Sequence, residues 1–180
     1  MNVTDCIKTR RSIRNYKEDQ IPQDLLKEVV ELARFAPSWK NTQIARYYVV
    51  QSAGLKKKIA EECMMGFSFN TNTLNKAPAL VVVAYVEKRS GYERDGSFTT
   101  SKEDGWEMFD AGIATQTFCL AAAEKGLGTC IMGIFDEEKI AEAINLPEGQ
   151  KVGAVLAIGY PVEEPAAPAR KEVEQLVKFL

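Results

Sequence analysis

The run ALVVVAYV, residues 79–86, is apolar at every position. Side chains of a strand alternate between the two faces of its sheet, so a strand of this composition has no face to offer water. It reads as a central strand, covered on both sides. VGAVLAIGY, residues 152–160, reads as a second buried strand, RYYVVQ, residues 46–51, as a third rich in β-formers, and TCIMG, residues 129–133, as a short one running into a turn. Helices must supply the cover. PQDLLKEVVELARFA, residues 22–36, has Pro22 in the first turn, early acids, and Leu25, Val29, Leu32, Ala33 and Ala36 along one face; Pro37 ends it. Trp106 to Lys125 predicts a long helix that is apolar nearly all round, buried on most sides and stopped by Gly126. Asp110 and Gln116 lie inside that helix and, as buried polar groups, need partners, most simply a neighbouring backbone. Shorter helices are expected over residues 3–10, after Ser52 and after Asp136. Residues 64–76 read as irregular, and the polar stretch 88–104 as a mobile loop.

Helices and strands mix without strict βαβ alternation, which points to one α+β domain over residues 1–180. The longest apolar run, residues 77–86, is too short to span a bilayer, and the opening MNVTDC has no secretory leader, so a cytoplasmic protein away from membranes is expected. Cys6, Cys63, Cys119 and Cys130 are scattered through apolar or helical patterns and read as buried thiols in a reducing compartment.

The chain contains no histidine. That removes Ser-His-Asp and Cys-His nucleophile pairs, HExxH zinc sites and the usual general base, and the cysteine spacing fits neither a zinc knuckle nor an iron–sulfur site. Any catalysis would have to come from a cofactor. Against this stands CIKTRRSIRNYK, residues 6–17, which holds Lys8, Arg10, Arg11, Arg14 and Lys17 and no acid, in a chain of formal net charge -2. Like charges this close repel. Either they fan out into water as a solvated face, or an anion meets them. Arg10 and Arg14 are one turn apart if helical, with Ser12 between them, and guanidinium binds phosphate in a bidentate way that ammonium cannot. Nucleic acid is disfavoured as the anion, because the chain is acidic overall and no second basic stripe with interleaved aromatics follows. In GLGTCIMG, residues 126–133, the glycines follow a helix and precede a strand, the reverse of a dinucleotide fingerprint. Gly126 and Gly128 read as a helix stop and tight turn, while Gly133 could let a flat ligand approach the backbone. The loop PSWKNTQ, residues 37–43, sets Ser, Asn and Gln around an aromatic, as a plain polar turn or as donors and acceptors for amide-like edges.

Taken in order, RRSIRNY, APSWKNTQ, DAGIATQTFCLAAAEKGLGTCIMG and LAIGYPVEEPAAPAR resemble successive segments of the nitroreductase family of FMN-dependent flavoproteins. The resemblance implies a central mixed β-sheet flanked by helices in an intertwined homodimer, with residues 161–180 as an arm on the partner subunit and FMN in clefts between the two copies. It implies Arg10 and Arg14 at the phosphate and ribityl end, Arg11 and Ser12 at the phosphate or the pyrimidine edge, and Arg170 at the phosphate. Ser38 and Asn41 would reach the flavin from the other subunit, Asn70 would lie near the ring, and Ile131, Met132 and Gly133 would lie against it, partly through backbone groups. No catalytic side chain is implied, since hydride would enter and leave at flavin N5, from NADH or NADPH to a small acceptor such as a nitroaromatic or quinone. A flavin-binding protein without such turnover is the alternative. Three departures stand out. Trp39 replaces a serine and would narrow the cleft, Ile44-Ala45 replaces the usual Pro-Trp, and Met132 stands where many relatives carry an acid. In so short a chain, only residues 64–76 and 88–104 are left to form a lid.

Overall fold

The computed structural model describes residues 2–180. Ala79–Val86 (β2) is buried along nearly its whole length. It pairs antiparallel with Ala45–Val50 (β1) on one side and with Gln150–Gly159 (β4) on the other, and Gly128–Met132 (β3) completes the order β1-β2-β4-β3. The expected mixed pairing takes the form of this antiparallel ladder plus one parallel bridge, between Ser12 and Thr129.

The alternation of strand side chains sorts the core into two clusters, one on each face of the sheet. Ala79, Val81 and Val83 of β2, with Leu156 and Ile158 of β4, face Leu26, Val29 and Ala33 of helix α2 (Gln23–Ala33) and Phe118, Cys119 and Ala122 of helix α5 (Gly105–Glu124). Leu80 and Val82, with Val155 and Ala157, face Ile59 of α3 (Ala53–Glu62), Leu74 of α4 (Ser68–Lys76) and Ile140 of α6 (Glu137–Ala143). Each Val or Leu so buried contributes about 1.5–3 kcal/mol, which is why an all-apolar strand dictates a three-layer arrangement.

Several elements differ from the sequence reading. Pro22 caps α2 rather than entering its first turn, and the helix stops at Ala33. Its inward row is Leu26, Val29 and Ala33, one residue rotated from the expected one, so Leu32 is 43% exposed. Residues 68–76, read as irregular because Ser, Asn and Thr form helices weakly, are helical. Tertiary contacts override the propensity, since Thr73 and Leu74 are buried and the Lys56 amine of α3 donates to the Ala77 carbonyl at the helix end. Helix α5 is buried along Asp110, Ala111, Ala114, Thr115 and Phe118, but Met108, Phe109, Gly112 and Gln116 lie on an exposed stripe of it; Gln116 is thus not a buried polar group. Residues 88–104 are tied down by backbone bonds from Thr99 to Gly91 (2.8 Å) and from Glu93 to Ser97 (2.8 Å). Among the described residues no helix is long and apolar enough to cross a membrane.

Gly126 ends α5 in the left-handed region, at φ +76°. Gly128 is not a turn residue. It opens β3, and a Cβ there would sit 2.4 Å from Cγ1 of Ile13, so its role is to let the N-terminal segment approach the strand. Gly128→Ala is therefore expected to destabilise the protein by about 1–3 kcal/mol through overpacking, a fall of several degrees in Tm by circular dichroism. Gly54→Ala in α3, where an added Cβ meets nothing within 4 Å, should be neutral or raise Tm slightly.

Candidate functional site

Helix α1 (Val3–Thr9) is capped by Asn2, whose Oδ1 accepts from the Asp5 amide at 2.9 Å. Beyond it the chain runs between β3 and the beginning of the C-terminal arm. The Ile13 amide donates to the Thr129 carbonyl (2.9 Å), Lys17 to Tyr160 (2.8 Å) and Val162 to Asn15 (3.2 Å), and the Asn15 side-chain amide donates to Glu163 (3.2 Å). This clamp brings the two ends of the sequence together. Arg10, Arg11, Ser12, Arg14 and Arg170 surround a cavity of about 360 Å³ with Pro165, Ala166 and Pro168, and no acid lines it.

The four guanidinium groups are not equivalent. The Arg11 side chain donates through Nη1 to the carbonyls of Lys8 (2.7 Å) and Arg10 (2.9 Å), closing the C-terminal end of α1, where a cation is favoured by the helix dipole. That engagement sets Arg11 apart from Arg10, although both line the cavity. The side chains of Arg10 and Arg170 have no hydrogen bond or ion pair among the described residues, and Arg14 makes only a long bond to the Ser12 carbonyl, at 3.3 Å. Three cationic donors thus converge on a space that holds nothing to neutralise them.

Arg14 also lines a second cavity, of about 320 Å³, with Phe67, Phe69, Asn70, Thr73, Cys130 and Ile131. Asn70 is placed by α4 and tethered by its side-chain amide to the Ile134 carbonyl at 3.0 Å. Ile131 is 48% exposed, whereas Met132 is 3% exposed and belongs to the core, so Met132 can offer a ligand only its backbone. Gly133 has open space where a Cβ would stand. The sequence reading missed Phe67, Phe69, Thr73 and Cys130. The only signal for them was Phe69 and Thr73 at helical spacing in a segment too polar to read as a helix. Burial pushes the Cys130 thiol up, with Arg14 pulling more weakly the other way, and burial likewise raises Cys63 and Cys119. None of these three is a ready thiolate.

Ser38, Trp39 and Asn41 do not join these cavities. They lie on a loop against α5, where Ser38 and the buried Asp110 line a separate space of about 310 Å³ with Tyr47, whose hydroxyl burial pushes up to about 12. Asp110 serves not its own helix but this loop. It accepts from the Trp39 amide (2.8 Å) and from the Ser90 hydroxyl (2.5 Å), and Ser90 also bonds Thr42 (2.7 Å). The Ser38 hydroxyl accepts from the Gln43 amide at 2.9 Å. Lys40 pairs with Glu93 at 2.9 Å, and this bond, with a second from Thr99, holds the Glu93 carboxyl below its usual range. The Trp39 ring lies 4.7 Å from that of Trp106, which meets Phe109 edge-on at 5.4 Å.

The two cavities, which share Arg14 in their walls, can hold an anionic group in one and a flat group with amide-like edges in the other, with no side chain placed as a general base. Residues 7–160 match the profile of the Nitroreductase family. The chain is 28% identical to an NADH dehydrogenase of Thermus thermophilus over 93% of this chain and 91% of that one. It is also 28% identical to an FMN reductase [NAD(P)H] of Bacillus subtilis, over 93% of this chain and 69% of that one. Among solved structures, a nitroreductase family protein of Clostridium novyi superimposes with a TM-score of 0.78 at 30% identity, covering 93% of this chain and 89% of that one. The two-layer cover of the sheet, the basic segment and the profile match agree, and the chain belongs to the nitroreductase family.

Proposed function

We propose that this chain is a cytoplasmic, FMN-dependent NAD(P)H oxidoreductase of nitroreductase type, a single flavin-binding domain over residues 1–180 that works as a homodimer. The observation that carries the reading is the pair of cavities that share Arg14. One has unpartnered guanidinium groups and no acid, and the other has an amide and an apolar rim that includes Ile131, two residues before the open backbone of Gly133. The donor set fits FMN. Arg10, Arg14 and Arg170 would hold the phosphate, which carries close to two negative charges, with Ser12 as a neutral donor. Asn70, Ile131 and the backbone of Met132 and Gly133 would hold the ring. Arg11 would keep the end of α1 in place so that Arg10 enters the cavity. The names of the relatives, which refer to NADH, NAD(P)H and FMN, support the same reading.

When bound, FMN would supply two-electron chemistry between NAD(P)H as hydride donor and an acceptor such as a quinone or nitro group, with one proton from water. The side chains bind, orient and exclude water. Cations near the pyrimidine edge favour added negative charge there, so Arg14, which reaches both cavities, would stabilise the reduced cofactor electrostatically. That division of labour is consistent with a chain that lacks histidine.

A homodimer accounts for two features of the single chain. Met108 and Phe109 are 51% and 58% exposed on α5, and the arm carries Val173, Leu176, Val177 and Phe179 in the open, apolar surface of a kind that marks an interface. Ser38 and Asn41 lie away from their own chain's cavities, so they would act at those of the second copy.

Purified protein loaded with FMN is expected to be yellow and to bleach anaerobically on addition of NADH or NADPH, then to recover its colour on addition of a quinone. Protein that refuses FMN refutes the reading, and yellow protein that neither nicotinamide bleaches reduces it to flavin binding alone. Arg10→Ala should weaken FMN retention by about ten- to a hundredfold, the scale of one charge-assisted contact, measured by flavin fluorescence on titration. Deleting residues 163–180 should loosen the dimer and release flavin together, as followed by sedimentation and absorbance on one sample.

A further inference from the structure

The loop that carries Trp39 is strained, pinned and leaves a buried donor without a partner. Lys40, Asn41 and Gln43 adopt positive φ values of 43°, 56° and 50°, a region that non-glycine residues occupy only where their surroundings force it. The surroundings do so here, through Asp110 on the Trp39 amide, Ser90 on Thr42, and Glu93 on Lys40. The indole N–H of Trp39 is buried without an acceptor, which is costly in a native structure and calls for a reason. A large aromatic is thus held rigidly, against its own interest, where the family's loop carries a serine.

We propose that Trp39 is the acceptor-selecting residue of this enzyme. Backed by Trp106 and continued by the exposed Phe109, it forms a fixed aromatic wall that admits planar acceptors and rejects those with bulk outside the ring plane. Offset stacking on a ring already ordered costs a flat acceptor little. Bulk above the plane meets a side chain that cannot withdraw, because the wall is pinned on both sides. Trp39 is bound through its amide to α5, and Trp106 donates its own indole N–H to Thr100 at 2.9 Å. The selected class is flat quinones, each taking up two electrons and a proton as hydride from NAD(P)H by way of the flavin and a second proton from water, with hydroquinone and NAD(P)+ as products. This rests on the flavin-cleft reading above, in which the Trp39 loop faces the cofactor held by the second copy.

The test compares menadione, which is flat, with 2,6-di-tert-butyl-1,4-benzoquinone, which is not. Both are assayed on the same FMN-loaded preparation, so that any loss of flavin cancels in the ratio of their kcat/KM values. Comparing wild type with variants then cancels the intrinsic reactivity of each quinone. Trp39→Ser is expected to lower the menadione preference about tenfold, mainly through KM, a change within the range that shape discrimination by a pocket supplies. Trp39→Phe, which keeps an aromatic but shortens the wall and removes the N–H, should lower it about threefold, so the proposal stays testable if the serine variant is not recovered. A readout without turnover is the dissociation constant of 1-naphthol for the oxidised protein, read from the shift of the flavin band; it should rise about tenfold in Trp39→Ser. An unchanged ratio and unchanged naphthol affinity in protein that binds FMN and bleaches with NAD(P)H overturn this inference alone. Protein that takes no flavin overturns both it and the reading on which it rests.

Discussion

Mutual repulsion among guanidinium groups is the constraint around which this chain is arranged. Arg10, Arg14 and Arg170 would move apart in a flexible chain. They are kept together because the segment between α1 and Lys17 is fastened to β3 on one side and to the start of the arm on the other. The fastening uses backbone hydrogen bonds and the close seating of Ile13 on Gly128, none of which depends on a ligand. The core thus holds an unfavourable arrangement of charge in readiness, and an arriving phosphate gains the attraction without the cost of ordering the side chains.

That arrangement needs a rigid base, which the buried strands provide. With β2 covered on both faces, the sheet cannot slip register without exposing Leu80 or Val81, and β4 transmits that rigidity to β3, which carries Cys130 and Ile131 to the cavity beside Asn70. The tight seams fall at glycines. Gly128 meets Ile13, and Gly159 meets Pro78 and Tyr16, both where the N-terminal segment crosses the sheet.

The legible parts of the sequence were those in which one physical term dominated. The all-apolar run gave the central strand, Gly126 the end of α5, and Asp136 the start of α6, where its side chain accepts from the Lys139 amide. The basic cluster was legible as a charge anomaly, and its convergence with Arg170 followed from the resemblance rather than from the cluster itself. What stayed hidden depended on contacts between distant residues. Helix α4 is held by burial of Thr73 and Leu74 against its weak propensity. The choice of Leu26 over Leu25 for the inward row of α2, one residue or about 100° around the helix, is set by the sheet beneath it. Asp110 was legible as a buried polar group in need of a backbone partner, but not that this partner is the Trp39 amide, joined by the Ser90 hydroxyl, both far from it in the chain. Arg11 and Arg10 are adjacent and chemically identical, and only the position of the α1 carbonyls separates their roles.

One wall of the phosphate cavity is made of Pro165, Ala166, Pro168 and Arg170, whereas every strand and both large apolar clusters are complete by Tyr160. The sheet and its covering helices therefore draw nothing from these residues, which serve the cavity and not the interior. Shortening the chain past Tyr160 would leave both apolar clusters whole while removing one side of the cavity, so loss of the arm is a lesion of binding rather than of stability.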